Sequence, residues 1–138
     1  MRALGRIGLA AVIVVAAGTA RARAGEYEDG NRKLFIEYCA VCHGENGKGG
    51  GVAASRLTKP PADLTRLARD NGGEFPLQRV MRAIDGRDLP HAHRRRDMPV
   101  WGDAFAADYS DPFRDQYGVR IKVHRLTEYV RSIQEPGK

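Results

Sequence analysis

Cysteine is scarce in this chain: Cys39 and Cys42 are the only two in 138 residues. A structural zinc site needs a second ligand pair that this count does not supply. Aromatic residues make up 7% of the sequence while glycine reaches 16 residues, so a core built from peptide alone is thin. The apolar run from Ile7 to Gly18 falls short of the ~20 residues that span a bilayer. No alternating strand pattern, internal repeat or low-complexity tract is present. There is no Ser-His-Asp arrangement, no phosphate-binding glycine loop and no framed pair of carboxylates. Hydrolysis and group transfer therefore have no recognisable machinery, and the chain is not expected to be an enzyme.

The first 24 residues read as a secretory signal peptide. Arg2 and Arg6 form a positive start, the apolar run follows, and Ala22-Arg23-Ala24 offers a small-x-small cleavage site. The expected organisation is a signal peptide over 1–24 and one domain over 25–138, exported to the periplasm. Cleavage removes Arg2, Arg6, Arg21 and Arg23 and no acidic residue, so the formal net charge falls from +6 to +2. The basic character belongs largely to the leader and gives no footing for nucleic-acid binding.

The remaining periodicities are helical. Leu34, Phe35 and Tyr38 share a face in a helix from Arg32 to about Cys39. Residues 44–51 form a glycine-rich loop. Asp63 caps a short helix over Leu64 to Arg69, and Asn71-Gly72-Gly73 is a turn. Pro76 suits the start of a helix carrying Leu77, Val80, Met81 and Ile84, with Gly86 as its stop. Residues 87–118 are expected to be irregular. A final helix runs from about Arg120 to Gln134, with Leu126, Tyr129, Val130 and Ile133 on one face and Pro136-Gly137 beyond it. The expected fold class is all-α, a few helices with long loops.

Cys39-Ala40-Val41-Cys42-His43 is the Cys-x-x-Cys-His signature of covalent haem attachment. At a helix end the two thiols point to one side, in reach of the two vinyl groups of haem. His43 rises on that side as the proximal iron ligand. Three other readings compete. A Cys39–Cys42 disulfide closes too small a loop to stabilise much and leaves His43 without a role. A thioredoxin-like redox pair needs a strand before the motif, and zinc lacks ligands. For the sixth position the domain offers the thioethers of Met81 and Met98. Met81 lies on the apolar face of a helix and reads as core filler. Met98 precedes Pro99, which holds it extended, and enough chain separates it from His43 to travel around a haem. Met98 is the expected ligand. His91, His93 and His124 are rivals, and His124 reads as a helix-surface residue.

With these residues in place the chain resembles the class I cytochromes c. The resemblance runs through Leu34-Phe35-x-x-Tyr38-Cys39-x-x-Cys42-His43-Gly44, Pro61-Ala62-Asp63-Leu64-Thr65, Asn71-Gly72-Gly73 with Phe75-Pro76, Ile84-Asp85-Gly86-Arg87, His93-x-x-Arg96-x-Met98-Pro99-Val100-Trp101-Gly102 and Tyr129-Val130-x-Ser132-Ile133. It is similar to the small mono-haem members from proteobacteria. The resemblance implies a helical wrap around one covalent haem c with His43 and Met98 on the iron. It implies single-electron transfer in a respiratory chain, as a carrier or as a redox subunit, with redox-protein partners and no nucleic acid. Contact with the membrane comes only through a partner complex or an uncleaved signal. The alternative keeps the haem but opens the sixth position to a gas or peroxide. The family also implies a proline carbonyl, here of Pro60 or Pro61, that accepts the proximal histidine's ring N–H. It implies an aromatic near Tyr129 packed on a first-helix glycine, where this chain has Asn31 with Gly30 one place early. Arg94 departs from the glycine that family members often have after the histidine at position 93, and makes the run Arg94-Arg95-Arg96. That run reads either as a solvated loop or as a docking patch for an acidic partner. Trp101 reads as a packing residue.

Overall fold

The computed structural model describes residues 25–88, 97–108, 110 and 112–136, with the backbone alone at 112–115. Residues 1–24, where the sequence reading expects a signal peptide, and His91, His93 and Arg94 to Arg96 lie outside the described residues. The chain divides into two compact units, Met1–Gly30 and Asn31–Lys138. Of the first, residues 25–30 are described and are helical. Everything below concerns the second.

Helix α1 covers residues 31–38 of this unit. It runs into α2, Ala40–His43, with Cys39 at the junction. The i→i−4 ladder breaks at that junction: Cys39 N–H still donates to Phe35 at 2.8 Å, Cys42 N–H turns to Cys39 at 3.2 Å, and the ladder resumes with His43 N–H to Cys39 at 2.9 Å. Short 3₁₀ turns follow at Ala54–Arg56, Leu64–Arg66 and Arg69–Asn71. Asp63 caps the second of these, its side chain accepting from Thr65 N–H at 2.9 Å. Helix α3 is Leu77–Asp85, entered through Pro76 and closed by Gly86 in the left-handed region at φ 74°. The α3 boundaries agree with Pro76 and Gly86, whereas the helix expected over Leu64 to Arg69 is two separate 3₁₀ turns, Leu64–Arg66 and Arg69–Asn71.

Other elements differ too, and the chain is helical already over residues 25–30, ahead of the expected start at Arg32. Residues 87–118 are not wholly irregular, because α4 forms over Trp101–Ala106 and α5 begins at Pro112. Helix α5 ends at Ser132, two residues before the predicted Gln134. Gly118 inside α5 weakens the local helix signal by about 1 kcal/mol relative to alanine. Pro112, suited to a first helical turn, marks the true start. Helix α4 is short and contains Gly102, and it is held by Trp101 and Phe105 packing rather than by propensity.

The described secondary structure is helical throughout, without a strand among the described residues, so the all-α expectation holds. Helix α5 packs against α3 and α4, and α3 against α4. Val119, Val123, Leu126 and Val130 form the buried stripe of α5, meeting Phe35, Val80, Ile84 and Phe105. Each such side chain contributes roughly 1.5–3 kcal/mol on burial. Phe35 and Tyr129 stack with ring centroids 4.7 Å apart. Asn31 is itself buried and accepts a 2.8 Å hydrogen bond from Arg125 Nε. At the position where the family pattern has glycine, α1 and α5 are thus joined by a polar contact. No described helix is long and apolar enough to cross a membrane.

Candidate haem-attachment site

The α2 turn closes on Cys39, whose carbonyl accepts from His43 N–H at 2.9 Å, so Cys39 and His43 stand one turn apart with Cys42 beside them. Cys39 is buried, and Cys42 and His43 are half-buried. Both thiols are free. Burial, with a smaller contribution from Cys42, pushes the Cys39 thiol up to about 12. A redox-active pair of the thioredoxin kind needs a lowered value, so Cys39 is not set up as an attacking thiolate.

A helix end leaves carbonyls without partners. Here the glycine loop supplies them: Ala53 N–H donates to Val41 at 2.8 Å, Gly51 N–H to Cys42 at 3.0 Å and Gly49 N–H to His43 at 2.8 Å. This requires close approach. A Cβ on Gly51 would run into the Ala40 and Val41 carbonyls. Gly49, at φ 90°, would set one 2.5 Å from the Pro61 oxygen. The glycines at 49 and 51 let the loop lie directly on the attachment turn.

The His43 ring is held from the next segment. Nδ1 lies 3.1 Å from the Ala62 carbonyl oxygen. A carbonyl only accepts, so Nδ1 carries the proton and Nε2 keeps its lone pair. Burial lowers the imidazole's proton affinity, with the Ala62 bond working against it. The acceptor is Ala62, one residue beyond the expected Pro60 or Pro61. A backbone carbonyl has no side-chain signature to mark it in the sequence, and Pro60-Pro61 carries the chain one step further before the oxygen turns to the ring.

Met98 is half-buried and packs against the hydrophobic core. Its segment is fixed on both sides. On one, the Asp97 carboxylate accepts from Thr58 N–H at 2.7 Å, Thr58 Oγ1 at 3.3 Å and Lys59 N–H at 3.3 Å. On the other, Gly102 sits so close to Asp85 and Arg87 that a Cβ would overlap both side chains. Those two residues form a bidentate pair, Nε to Oδ1 at 2.7 Å and a second guanidinium nitrogen to Oδ2 at 2.9 Å. Residues 58–62 therefore reach the Met98 segment at one end and the His43 ring at the other. Neither the Asp97 contacts nor the Gly102 fit was read from the sequence. The adjacency of Asp97 to Met98 and the pairing of Asp85-Gly86-Arg87 with Gly102 are the traces they leave there.

Met81 lies on α3, half-buried against the core. It also lines a polar cleft of about 340 Å³ with Arg82, Arg87 and Arg120, which none of Cys39, Cys42, His43 and Met98 lines. His124 is exposed on α5, 3.9 Å from Glu128. Trp101 stacks on Phe105 at 5.4 Å and meets Tyr38 edge-on at 5.5 Å. Among the described residues no three His, Cys, Asp or Glu side chains gather into a metal-holding group. The donor set suits haem c: two unbridged thiols on one turn, and an imidazole oriented through Nδ1 with Nε2 free to ligate. No family model matches the chain, and neither a curated protein nor a solved structure does.

Proposed function

We propose that this chain is a periplasmic electron-transfer protein of the class I cytochrome c type, holding one haem c through Cys39 and Cys42 with His43 and Met98 as axial ligands. The observation that carries the reading is the His43 bond to Ala62, beside two free thiols on the same helical turn. That bond leaves Nε2 as a neutral donor of fixed direction, which a proximal ligand requires. A haem held there supplies an iron that takes up and releases one electron at a time.

The chain's own residues do the rest. Cys39 and Cys42 tether the group, and the loop from Gly44 to Gly51 braces the tethering turn. The 58–62 segment orients His43. Pro99 keeps Met98 extended, while Asp97 and Gly102 fix its segment. With haem bound, a thioether ligand from Met98 would favour the reduced state and raise the potential. Both ligands belong to segments tied down by hydrogen bonds, so little rearrangement accompanies a change of charge. The partners are redox proteins of the respiratory chain, donor on one side and acceptor on the other. The chain itself acts as a carrier or a redox subunit rather than an enzyme.

The test is the visible spectrum of protein exported in a host that matures c-type cytochromes. Sharp α and β bands on reduction, surviving acid-acetone extraction, are expected. Cys42→Ser should mature poorly and keep at most one thioether. Freely extractable haem, or none, rejects the reading.

A further inference from the structure

We propose that Asp97 is a positioning residue for Met98, its carboxylate seating the ligand segment on the backbone N–H groups of Thr58 and Lys59. This rests on the reading of Met98 as an axial ligand. Three hydrogen bonds converge on one carboxylate, at 2.7 Å and 3.3 Å from the two N–H groups and 3.3 Å from the Thr58 hydroxyl. The 2.7 Å bond from Thr58 N–H has the length of a charge-assisted hydrogen bond, and the two at 3.3 Å are longer and weaker. Asp97 directly precedes Met98, so fixing its carboxylate limits where the next side chain begins.

The anchor is stiff. Pro60 and Pro61 have fixed φ, and Lys59 is restricted by the proline after it. The segment's far end is held by the Ala62 bond to His43. Just beyond, Leu64 N–H donates to Gly47 at 2.8 Å, and Asp63 accepts from the Thr65 hydroxyl at 2.6 Å. Asp97, Thr58 and Lys59 are themselves exposed, and exposed charged contacts contribute little to global stability. Three contacts in so unfavourable a place for stabilising the fold serve geometry instead. They tie the Met98 side of the site to the same strut that orients His43.

The experiment is a titration of the ferric holoprotein with imidazole, which competes with the thioether for iron. Thermal unfolding and the sulfur-to-iron charge-transfer band are followed on the same samples. Asp97→Ala should bind imidazole about tenfold more tightly than wild type, from the loss of roughly one charge-assisted hydrogen bond's worth of preference. Its charge-transfer band should weaken, and its melting temperature should fall by no more than the same free energy allows, roughly five degrees. Asp97→Asn keeps one acceptor oxygen and should fall between the two. If Asp97→Ala does not fold, a tightening of about threefold in Asp97→Asn supports the proposal and no tightening overturns it. Unchanged imidazole affinity in both variants, with Met98→Ala binding far more tightly, overturns the positioning role and leaves the axial assignment intact. If Met98→Ala itself titrates like wild type, the axial assignment fails and the positioning role falls with it.

Discussion

The imidazole of His43 donates Nδ1–H to Ala62 at 3.1 Å, and the lone pair on Nε2 is what remains for a metal. Met98 is the residue proposed as the second iron ligand: it is a thioether in an irregular segment, whereas Met81, the other described thioether of the unit, lies on α3. Met98→Ala should keep its covalent haem but lose the low-spin spectrum, and carbon monoxide should bind the reduced protein readily. An unchanged spectrum means that another residue ligates. Met81→Leu should be spectrally silent and cost under about 1.5 kcal/mol, since it exchanges side chains of similar volume against the core. At this scale the sequence was legible wherever chemistry is local. Cys39, Cys42 and His43 lie within one turn, so spacing alone puts them on one face. The Ala62 carbonyl and the Asp97 contacts join residues far apart in the chain, and no periodicity carries that information.

Helix α2 is short and survives because the glycine loop takes its terminal carbonyls. Gly51→Ala forces a Cβ against two backbone oxygens and should cost about 1–3 kcal/mol, measured by thermal unfolding, with less haem attached per chain. The Asp85–Arg87 pair does similar service where α3 meets α4. Hydrogen bonding to the Arg87 side chain is the largest cause holding the Asp85 carboxyl below its ordinary value, with burial opposing it. A carboxylate with a depressed folded pKa contributes stability above the ordinary value of about 3.9 and loses it as pH falls through the lower one. Asp85→Asn should therefore melt below wild type at neutral pH, and the two curves should converge in strong acid. A constant difference at every pH would contradict the ionic role. Helix α3 was legible because Pro76 and Gly86 punctuate it. Helix α4 was not, since six residues containing a glycine carry too little periodicity, and its hold is the contact of Trp101, Phe105 and Tyr38 across sequence.

Over the whole molecule the described core is small, centred on α5 and on Phe35, Phe105 and Ile84. Half-buried apolar side chains, among them Leu64, Leu67, Phe75, Met81, Met98 and Trp101, pack around it. The all-α class was legible from periodicity alone, but the crossing of α1 and α5 was not. Asn31 there is buried against Arg125, a polar contact no apolar pattern announces. Asn31→Ala should lower stability by about 1–3 kcal/mol, measured by denaturant unfolding. Cleavage of residues 1–24, as the sequence reading expects, would leave a small net charge, and encounter with the proposed partner would then depend on local charge such as Arg94-Arg95-Arg96. Reversing Arg94 and Arg95 to Glu should slow electron transfer with an acidic partner and flatten its salt dependence. An intact salt dependence makes the run a solvated loop. The central claim, one haem bound covalently to an exported chain, is tested most directly by the intact mass of the denatured periplasmic protein. The account predicts the mass of residues 25–138 plus one haem. A mass equal to polypeptide alone would contradict it.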